Sequence, residues 1–189
     1  MSLKILAFAG SVRRDSWNKK LISYVATLLR KKGVKVTLID LKDFPMPVYD
    51  GDLESENGSP KSVKDLKRLM CDHDAFIISS PEYNSEIPPL LKNTIDWVSR
   101  PDPEDKKRLI AFSGKTAAVL SAAPGAQGGT RVRMSLRALL AYMGVVVVPE
   151  QYGLNDCGRA FAEDGSILES IDQTLLHETL NRLIALTPK

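Results

Sequence analysis

The stretch that decides the fold is Ile5-Leu-Ala-Phe-Ala9 followed by Gly10-Ser-Val-Arg-Arg-Asp-Ser-Trp-Asn18. An apolar run that stops at a glycine and continues, after a polar loop, into an amphipathic segment predicts a strand, a turn and a helix. Such a turn points several backbone N–H groups at one spot, where the positive end of the helix dipole favours an anion. The sequence therefore predicts an anion site directly after the first strand.

The side chains of this loop favour a phosphate monoester. Ser11, Ser16 and Asn18 supply neutral donors, and Arg13 supplies a fixed cation whose N–H groups suit a dianionic phosphate. A dinucleotide fold would need Gly-x-Gly-x-x-Gly, whereas this loop contains a single glycine, Gly10. We interpret the loop as a mononucleotide site. An ordinary helix start, with the second serine as its N-cap, is the alternative that the loop alone leaves open.

Strand and helix patterns alternate along the rest of the chain. Apolar runs or period-two alternation predict four more strands, and apolar residues at helical spacing occur between and after them. The five predicted strands cover residues 5–9, 34–38, 75–79, 117–122 and 145–148. This alternation predicts an α/β fold, a doubly wound five-stranded parallel sheet in the order 2-1-3-4-5, with residues 1–189 as a single domain.

Two further stretches are interpreted from composition. Residues 43–60 are rich in proline, glycine and acidic side chains and are predicted to form a surface loop. The fifth strand, Val145–Val148, lies at an edge of the predicted sheet, although four consecutive valines are typical of a covered strand. We expect another segment to cover it, and residues 150–165 are the candidate.

The predicted topology brings three loops together. In sheets of this kind, ligands bind beyond the carboxyl ends of the strands, at the switch point between the first and third strands. The polar, turn-rich segments Gly10–Asn18, Pro81–Glu86 and Ala123–Gly129 all follow strands that end there. The sequence therefore predicts one binding site built from three loops.

Composition excludes several classes of function. Hydrophobic residues make up 43% of the 189 residues and the net charge is +3, with basic residues dispersed, so a nucleic-acid interface is not expected. Cys71 and Cys157 are isolated and suggest neither a disulfide framework nor a metal site. Apolar stretches are too short to cross a bilayer, and no signal peptide is evident, so we expect a cytoplasmic protein without membrane contact.

Three motifs together resemble the NADPH-dependent FMN reductase family. They are Gly10-Ser-x-Arg-x-x-Ser-x-Asn18, Pro81-Glu-Tyr-Asn84 and Pro124-Gly-x-x-Gly-Gly129-x-Arg131. The resemblance extends over nearly the whole chain and includes Pro89-Leu-x-Lys-Asn-x-x-Asp96-Trp97. It implies a flavodoxin-like fold, bound FMN, NAD(P)H as co-substrate and a small electron acceptor such as a quinone. Asp15 departs from the expected chemistry, because an acid beside a phosphate is unfavourable unless it points away or pairs with Arg14.

The resemblance also implies roles for individual residues. The first loop would hold the FMN phosphate, the second would line the isoalloxazine ring, and the third would close over it. The residues expected to bind the cofactor are Ser11, Arg13, Ser16, Trp17, Asn18, Pro81, Glu82, Tyr83, Asn84, Ala123, Pro124, Gly125, Gln127, Gly128 and Gly129. No catalytic side chain is expected, because hydride and electron chemistry belong to the flavin.

Two other functions use the same site. A flavodoxin-like electron carrier would bind FMN but usually presents an acidic docking face, whereas this chain has a net charge of +3. A flavin-binding redox-sensing module would keep the site without turnover. We favour the enzyme, which passes electrons from a nicotinamide through FMN to the acceptor.

The predicted helix over residues 130–143 suggests self-association. Besides the apolar stripe expected for packing on the sheet, Met134, Ala138 and Ala141 project from the opposite side. Trp97, on the preceding helix, lies at the margin of its own apolar stripe. We expect a homodimer or homotetramer in which these faces pack against their symmetric copies.

Overall fold

A sheet of parallel strands organises the computed structural model, which describes residues 2–188. The strands are β1 (Lys4–Ala9), β2 (Lys35–Ile39), β3 (Ala75–Ser79), β4 (Thr116–Ala122), β5 (Val146–Val147) and β6 (Gly153–Leu154). Their order is β2-β1-β3-β4-β5, with β6 also pairing with β4. The predicted parallel sheet and its order 2-1-3-4-5 are confirmed.

Helices connect the parallel strands and cover both faces of the sheet. They are α1 (Trp17–Lys31), α2 (Gly51–Asn57), α3 (Lys61–Cys71), α4 (Pro89–Val98), α5 (Thr130–Tyr142) and α6 (Thr174–Leu186). One face packs on α1 and α6, and the other packs on α3, α4 and α5. Within residues 2–188, no helix combines the length and the apolar character needed to cross a membrane.

The register of the central strands sets the position of the loops that follow them. Ala9 lies opposite Ser79, and Ser79 lies opposite Leu120, so β1, β3 and β4 end within two residues of one level. The N–H of Gly10 continues the ladder by donating to the Ser79 carbonyl at 2.9 Å. A Cβ at Gly10 would lie 3.0 Å from Leu91 Cδ2, so glycine lets the chain pass close to α4 at this point.

The fifth strand is shorter than predicted. Only Val146 and Val147 pair with β4, and Val146 is 55% exposed. The other three valines are buried, Val145 and Val147 on one face of the sheet and Val148 on the other. Residues 150–165 contribute β6, which pairs with β4 beyond β5, and several of their side chains belong to the same buried cluster as Val148.

Residues 43–60 were predicted to form a loop, but the structure shows a helix within this stretch. They contain α2, which begins after Asp50, whose carboxylate accepts from the Asp52 N–H at 2.9 Å. The helix has no fully buried residue of its own, but Glu54 bonds to Tyr49 and Arg100. The proline and glycine content of this stretch predicts a loop. The helix within it is held by side-chain contacts that the composition does not reveal.

Trp97 is not part of an exposed helix face. Its side chain is fully buried, its Nε1–H donates to the Pro47 carbonyl at 2.8 Å, and its ring packs edge-on against Tyr49 at 5.0 Å. The segment before α2 therefore accounts for the position of this tryptophan at the margin of the apolar stripe. The expectation that Trp97 contributes to a subunit interface is wrong.

The buried thiol of Cys157 should make the free energy of unfolding depend on pH in the alkaline range. Burial raises the pKa of its thiol to about 11 from an ordinary value of 9.0. The thiol contributes stability in full below pH 9, and this contribution is lost as the pH rises toward 11, since only the unfolded chain ionises there. The loss should reach about 2–3 kcal/mol. Urea unfolding of Cys157→Ala should show a flatter decline over this range than wild type, and equal slopes would contradict the assignment.

Candidate functional site

Three loops lie together at the carboxyl edge of the sheet. We call residues 10–18 the phosphate loop, residues 81–86 the hairpin loop and residues 123–129 the glycine loop. Asn18 joins the first of them to the strands that precede the other two. Its Oδ1 accepts from Ser79 Oγ at 2.8 Å and from the Ala122 N–H at 2.9 Å, and its Nδ2 donates to the Ala122 carbonyl at 2.9 Å. The predicted convergence of these loops is confirmed.

Asn18 was predicted to bind the phosphate, but three hydrogen bonds within the chain already hold its side chain. The residue is 2% exposed and lies in the first turn of α1. An amide suits this position because it donates and accepts at once, matching the N–H and the carbonyl of one strand residue. The structure thus gives Asn18 a positioning role that its place in the motif did not reveal.

The start of α1 presents unpartnered donors. Ser16 is 3% exposed and stands at the N-cap position, yet its hydroxyl makes no capping hydrogen bond. The first helical bond runs from the Lys20 N–H to the Ser16 carbonyl at 3.0 Å, so the N–H groups before it have no helical partner. The first turn of α1 carries no acidic residue. This arrangement suits an anion and disfavours the alternative that Ser16 simply caps the helix.

Arg13 lies at the rim of the phosphate loop. Its guanidinium stacks over the Trp17 ring at 5.2 Å, and its backbone N–H donates to Ser11 Oγ at 3.3 Å. Stacking orients the guanidinium and leaves its N–H groups available for a phosphate. Asp15 is exposed and forms no ion pair with Arg14, so neither residue competes with Arg13 for the loop.

The hairpin loop contains a strained turn. Tyr83 and Glu86 exchange backbone hydrogen bonds of 3.1 and 3.0 Å, and the two residues between them have positive φ angles, 51° at Asn84 and 68° at Ser85. Positive φ at both central positions is typical of a type I′ turn, which normally requires glycine or asparagine. Tyr83 remains 50% exposed at the edge of the loop. Strain of this kind is typical of loops held in shape for a ligand.

Two carboxylates of the hairpin loop hold it against α5. Glu82 accepts from the Val132 N–H at 3.0 Å, in the first turn of the helix, and lies 3.8 Å from Arg131. Glu86 accepts from the Ile87 N–H at 3.0 Å and from Ser135 Oγ at 2.8 Å, and these two bonds lower the pKa of the Glu86 carboxyl. The carboxylate of Glu82, which was predicted as a cofactor ligand, is therefore engaged with α5.

The glycine loop depends on Arg133, which the sequence analysis did not identify. Arg133 Nη1 donates to the Gly128 carbonyl at 2.6 Å and to Ser121 Oγ at 2.5 Å. A side chain at Gly153 would lie 1.9 Å from this guanidinium, so the arginine occupies the space that the glycine leaves. Burial lowers the pKa of Arg133, and Glu82 opposes that shift. Its only sequence signal is a basic residue four positions after the last glycine of the loop.

A fourth segment, residues 153–158, also borders the site, and its role was not predicted from the sequence. The Ala123 N–H donates to the Leu154 carbonyl at 3.0 Å, and the Cys157 N–H donates to the Ala123 carbonyl at 3.3 Å. Gly158 approaches the ring of Trp17. The segment carries no recognisable motif, because its contribution rests on backbone contacts. In the described residues, no three His, Cys, Asp or Glu side chains gather where they could hold a metal ion.

The fold is that of a flavodoxin-like α/β protein, and its three loops meet at the switch point between β1 and β3. The sequence model of the family described as NADPH-dependent FMN reductase matches residues 3–158 of this chain. The chain belongs to that family.

Individual relatives agree along the full length. A 2-hydroxy-1,4-benzoquinone reductase from Burkholderia sp is 32% identical over 187 residues, which cover 98% of this chain and 96% of the relative. A quinone reductase from Escherichia coli (strain K12) is 29% identical over 186 residues, covering 97% and 93%. Among solved structures, FerB, a flavoenzyme NAD(P)H:(acceptor) oxidoreductase from Paracoccus denitrificans, superimposes with a TM-score of 0.78 at 28% identity, covering 98% of this chain and all of FerB.

The protein is accordingly an FMN-dependent NAD(P)H oxidoreductase. Its residues fit the cofactor: the Ser16 hydroxyl, which makes no capping hydrogen bond, the first N–H groups of α1 and the stacked Arg13 suit a phosphate monoester. Gly128 and Gly129 have left-handed φ of 54° and 77°, and a Cβ would meet Gly153 at 3.0 Å or Ser121 at 2.9 Å, so this loop can form only with glycine at these positions. The individual ligand assignments remain predictions.

Asn18 and Ser16 make a matched pair for separating stability from binding. Asn18→Ala should lower the free energy of unfolding of the apoprotein by about 2–4 kcal/mol, because it leaves Ser79 and Ala122 with buried groups unpaired. Ser16→Ala should change it by less than about 1 kcal/mol, since no bond within the chain is lost, but should weaken FMN binding. Denaturant unfolding of both apoproteins measures this, and equal destabilisation by the two changes would contradict the assignment.

Proposed function

We propose that the protein is an NAD(P)H:quinone oxidoreductase whose FMN occupies the three loops described above. The proposal rests on the anion site at the start of α1, where the Ser16 hydroxyl makes no capping bond and the first N–H groups have no helical partner. The two other loops at the switch point lie beside this site. The quinone as acceptor is supported by the relatives, which include quinone reductases matching nearly the whole chain.

In this proposal each loop has a separate task. The phosphate loop holds the FMN phosphate through Ser11, Arg13, Ser16 and backbone N–H groups. The hairpin loop and the glycine loop flank the ring and exclude water from one side of it. Bound there, FMN would supply the hydride and two-electron chemistry between the nicotinamide and the acceptor.

The titratable groups beside the site support a mechanism carried by the cofactor. Glu82 and Glu86 are committed to α5, and the raised pKa of Cys157 keeps its thiol protonated at neutral pH. A protonated thiol is a poor nucleophile. The chain thus supplies binding, orientation and hydrogen-bond donors.

Anaerobic titration of the FMN-loaded protein tests the function. One equivalent of NADPH or NADH should bleach the bound flavin, and a benzoquinone should restore its absorbance with catalytic turnover. If neither nicotinamide reduces the flavin at a rate that supports turnover, the electron-carrier or redox-sensing alternative replaces the proposed enzyme.

Arg13 is expected to contact the FMN phosphate directly. Arg13→Ala should weaken FMN binding about tenfold or more, because a charge-assisted contact to the phosphate is lost. Arg14→Ala removes the same charge one residue away and should change the affinity by no more than about twofold. Quenching of flavin fluorescence measures both affinities. If both variants lose affinity equally, the effect comes from net charge and not from a contact made by Arg13. An unchanged affinity in Arg13→Ala would also contradict the assignment.

We also propose that the protein forms a homodimer or homotetramer through the outer face of α5. Met134 is 65% exposed, Tyr142 is 79% exposed and Val146, on the neighbouring edge strand, is 55% exposed. Ala138 is exposed between the first two. The opposite face of α5 is buried through Val132, Leu136 and Leu140, so these apolar side chains have no role in the core. Because α5 also carries the hairpin loop, such an interface would lie beside the flavin site.

Ala138→Arg should shift this assembly toward the monomer, because the substitution places a charge without a partner in an apolar seam. Ala185→Arg, at an exposed alanine of α6, is the matched control and should leave the mass unchanged. Light scattering at micromolar concentration measures the mass of each variant. A monomeric wild type, or an unchanged mass for Ala138→Arg, would refute this interface.

A further inference from the structure

Arg133 places a positive charge against the glycine loop, and none of its contacts is to a negative charge. Its guanidinium donates to the Gly128 carbonyl, to Ser121 Oγ and, at 3.1 Å, to Thr130 Oγ1. All three acceptors are neutral. Between residues 2 and 188, no carboxylate forms an ion pair with this guanidinium.

The surroundings of the guanidinium are protein backbone. Strand β6 passes so close to it that no side chain would fit at Gly153. Burial lowers the pKa of Arg133, because its charge has lost part of its hydration. A desolvated charge without an opposite charge in contact is unfavourable. The hydrogen bonds themselves do not require the charge, since a neutral amide could donate to the same carbonyl or hydroxyl.

The start of α5 adds to the positive potential at this loop. Gly129 stands at the N-cap without a side-chain capping bond, and the first turn of the helix carries no acidic residue. The positive end of the helix dipole therefore adjoins the glycine loop. Glu82 is the carboxylate whose charge acts on Arg133. It also accepts from the Val132 N–H at 3.0 Å and lies 3.8 Å from Arg131, so its charge is shared with these groups.

We propose that Arg133 is a positioning residue whose charge favours the reduced state of the bound FMN and so makes the flavin easier to reduce. The inference rests on the proposed function, which places the flavin ring against the glycine loop. A hydride brings two electrons and one proton to the ring, so the reduced ring carries a negative charge until it takes up a second proton. A cation already fixed by three hydrogen bonds stabilises that charge without rearrangement.

The size of the effect follows from Coulomb's law. Two unit charges about 10 Å apart, at an effective dielectric constant of about 20, change an equilibrium constant by roughly tenfold. For a two-electron couple, a tenfold change corresponds to about 30 mV. Hydrogen bonds that only hold the loop in shape would act alike on both states of the flavin and would leave their relative affinity unchanged.

The midpoint potential of the bound FMN tests the proposal. It is measured by chemical reduction in equilibrium with a reference dye, with protein in excess so that all FMN is bound. In Arg133→Gln, the ratio of the affinities for reduced and oxidised FMN should fall about tenfold, which lowers the potential by about 30 mV. Arg133→Lys keeps the charge and should change the ratio by less than about threefold.

Arg137→Gln is the matched control. It removes an arginine of the same helix that also donates to a backbone carbonyl, that of Val148 at 2.7 Å, but away from the glycine loop. The ratio should change by less than about twofold in this variant. An equal fall in Arg133→Gln and Arg137→Gln, or no fall in Arg133→Gln, would overturn the proposal, as would a fall in Arg133→Lys as large as that in Arg133→Gln.

Glu82→Gln tests the same charge with the opposite sign and leaves Arg133 in place. The amide can still accept from the Val132 N–H, but the negative charge that acts on Arg133 is gone. The ratio should therefore rise about threefold. An unchanged or lower ratio in Glu82→Gln would show that charge at this loop does not act on the flavin.

These measurements use neither nicotinamide nor quinone, so they are separate from the test of the proposed function. If the potentials shift as expected but neither nicotinamide supports turnover, the role of Arg133 stands and the proposed enzyme fails. If wild type turns over and the potential is the same in Arg133→Gln, the role of Arg133 fails alone.

Discussion

The site depends on one buried amide, that of Asn18. Parallel strands that stop at the same edge leave N–H and carbonyl groups beyond the last ladder bonds, and these groups need partners where water is excluded. The Asn18 amide donates to the Ala122 carbonyl and accepts from the Ala122 N–H, and it also accepts from the Ser79 hydroxyl. One side chain from α1 thus connects the ends of β3 and β4, and the phosphate loop that precedes it is held at the switch point.

The other two loops are held by side chains of α5. Glu82 and Glu86 attach the hairpin loop to that helix, and Arg133 bonds to the backbone of the glycine loop. Bonds of this kind involve charged groups, which are the stronger class of hydrogen bond, and their loss leaves a charge without a partner. The same helix presents an apolar outer face, so any association through α5 would act on both loops at once.

Local patterns were sufficient to predict the core of the fold. Apolar runs located β1, β3 and β4 to within a residue, and the turn residues after them located the three loops. Features that rest on distant contacts were not predicted. Trp97 seemed to lie at a surface because its cover comes from Pro47 and Tyr49, some fifty residues earlier. The Arg133 guanidinium bonds to the backbone of the glycine loop, and residues 153–158 contact that loop through their own backbone, so neither leaves a motif.

We propose that the three loops form one site for one FMN. Titration of the isotope-labelled apoprotein with FMN, followed by backbone amide chemical shifts, tests this directly. Amides in residues 10–18, 81–86 and 123–129 should all shift and saturate together at one equivalent, with those at the start of α1 shifting most. Shifts confined to one loop, or saturation of the loops at different stoichiometries, would contradict it.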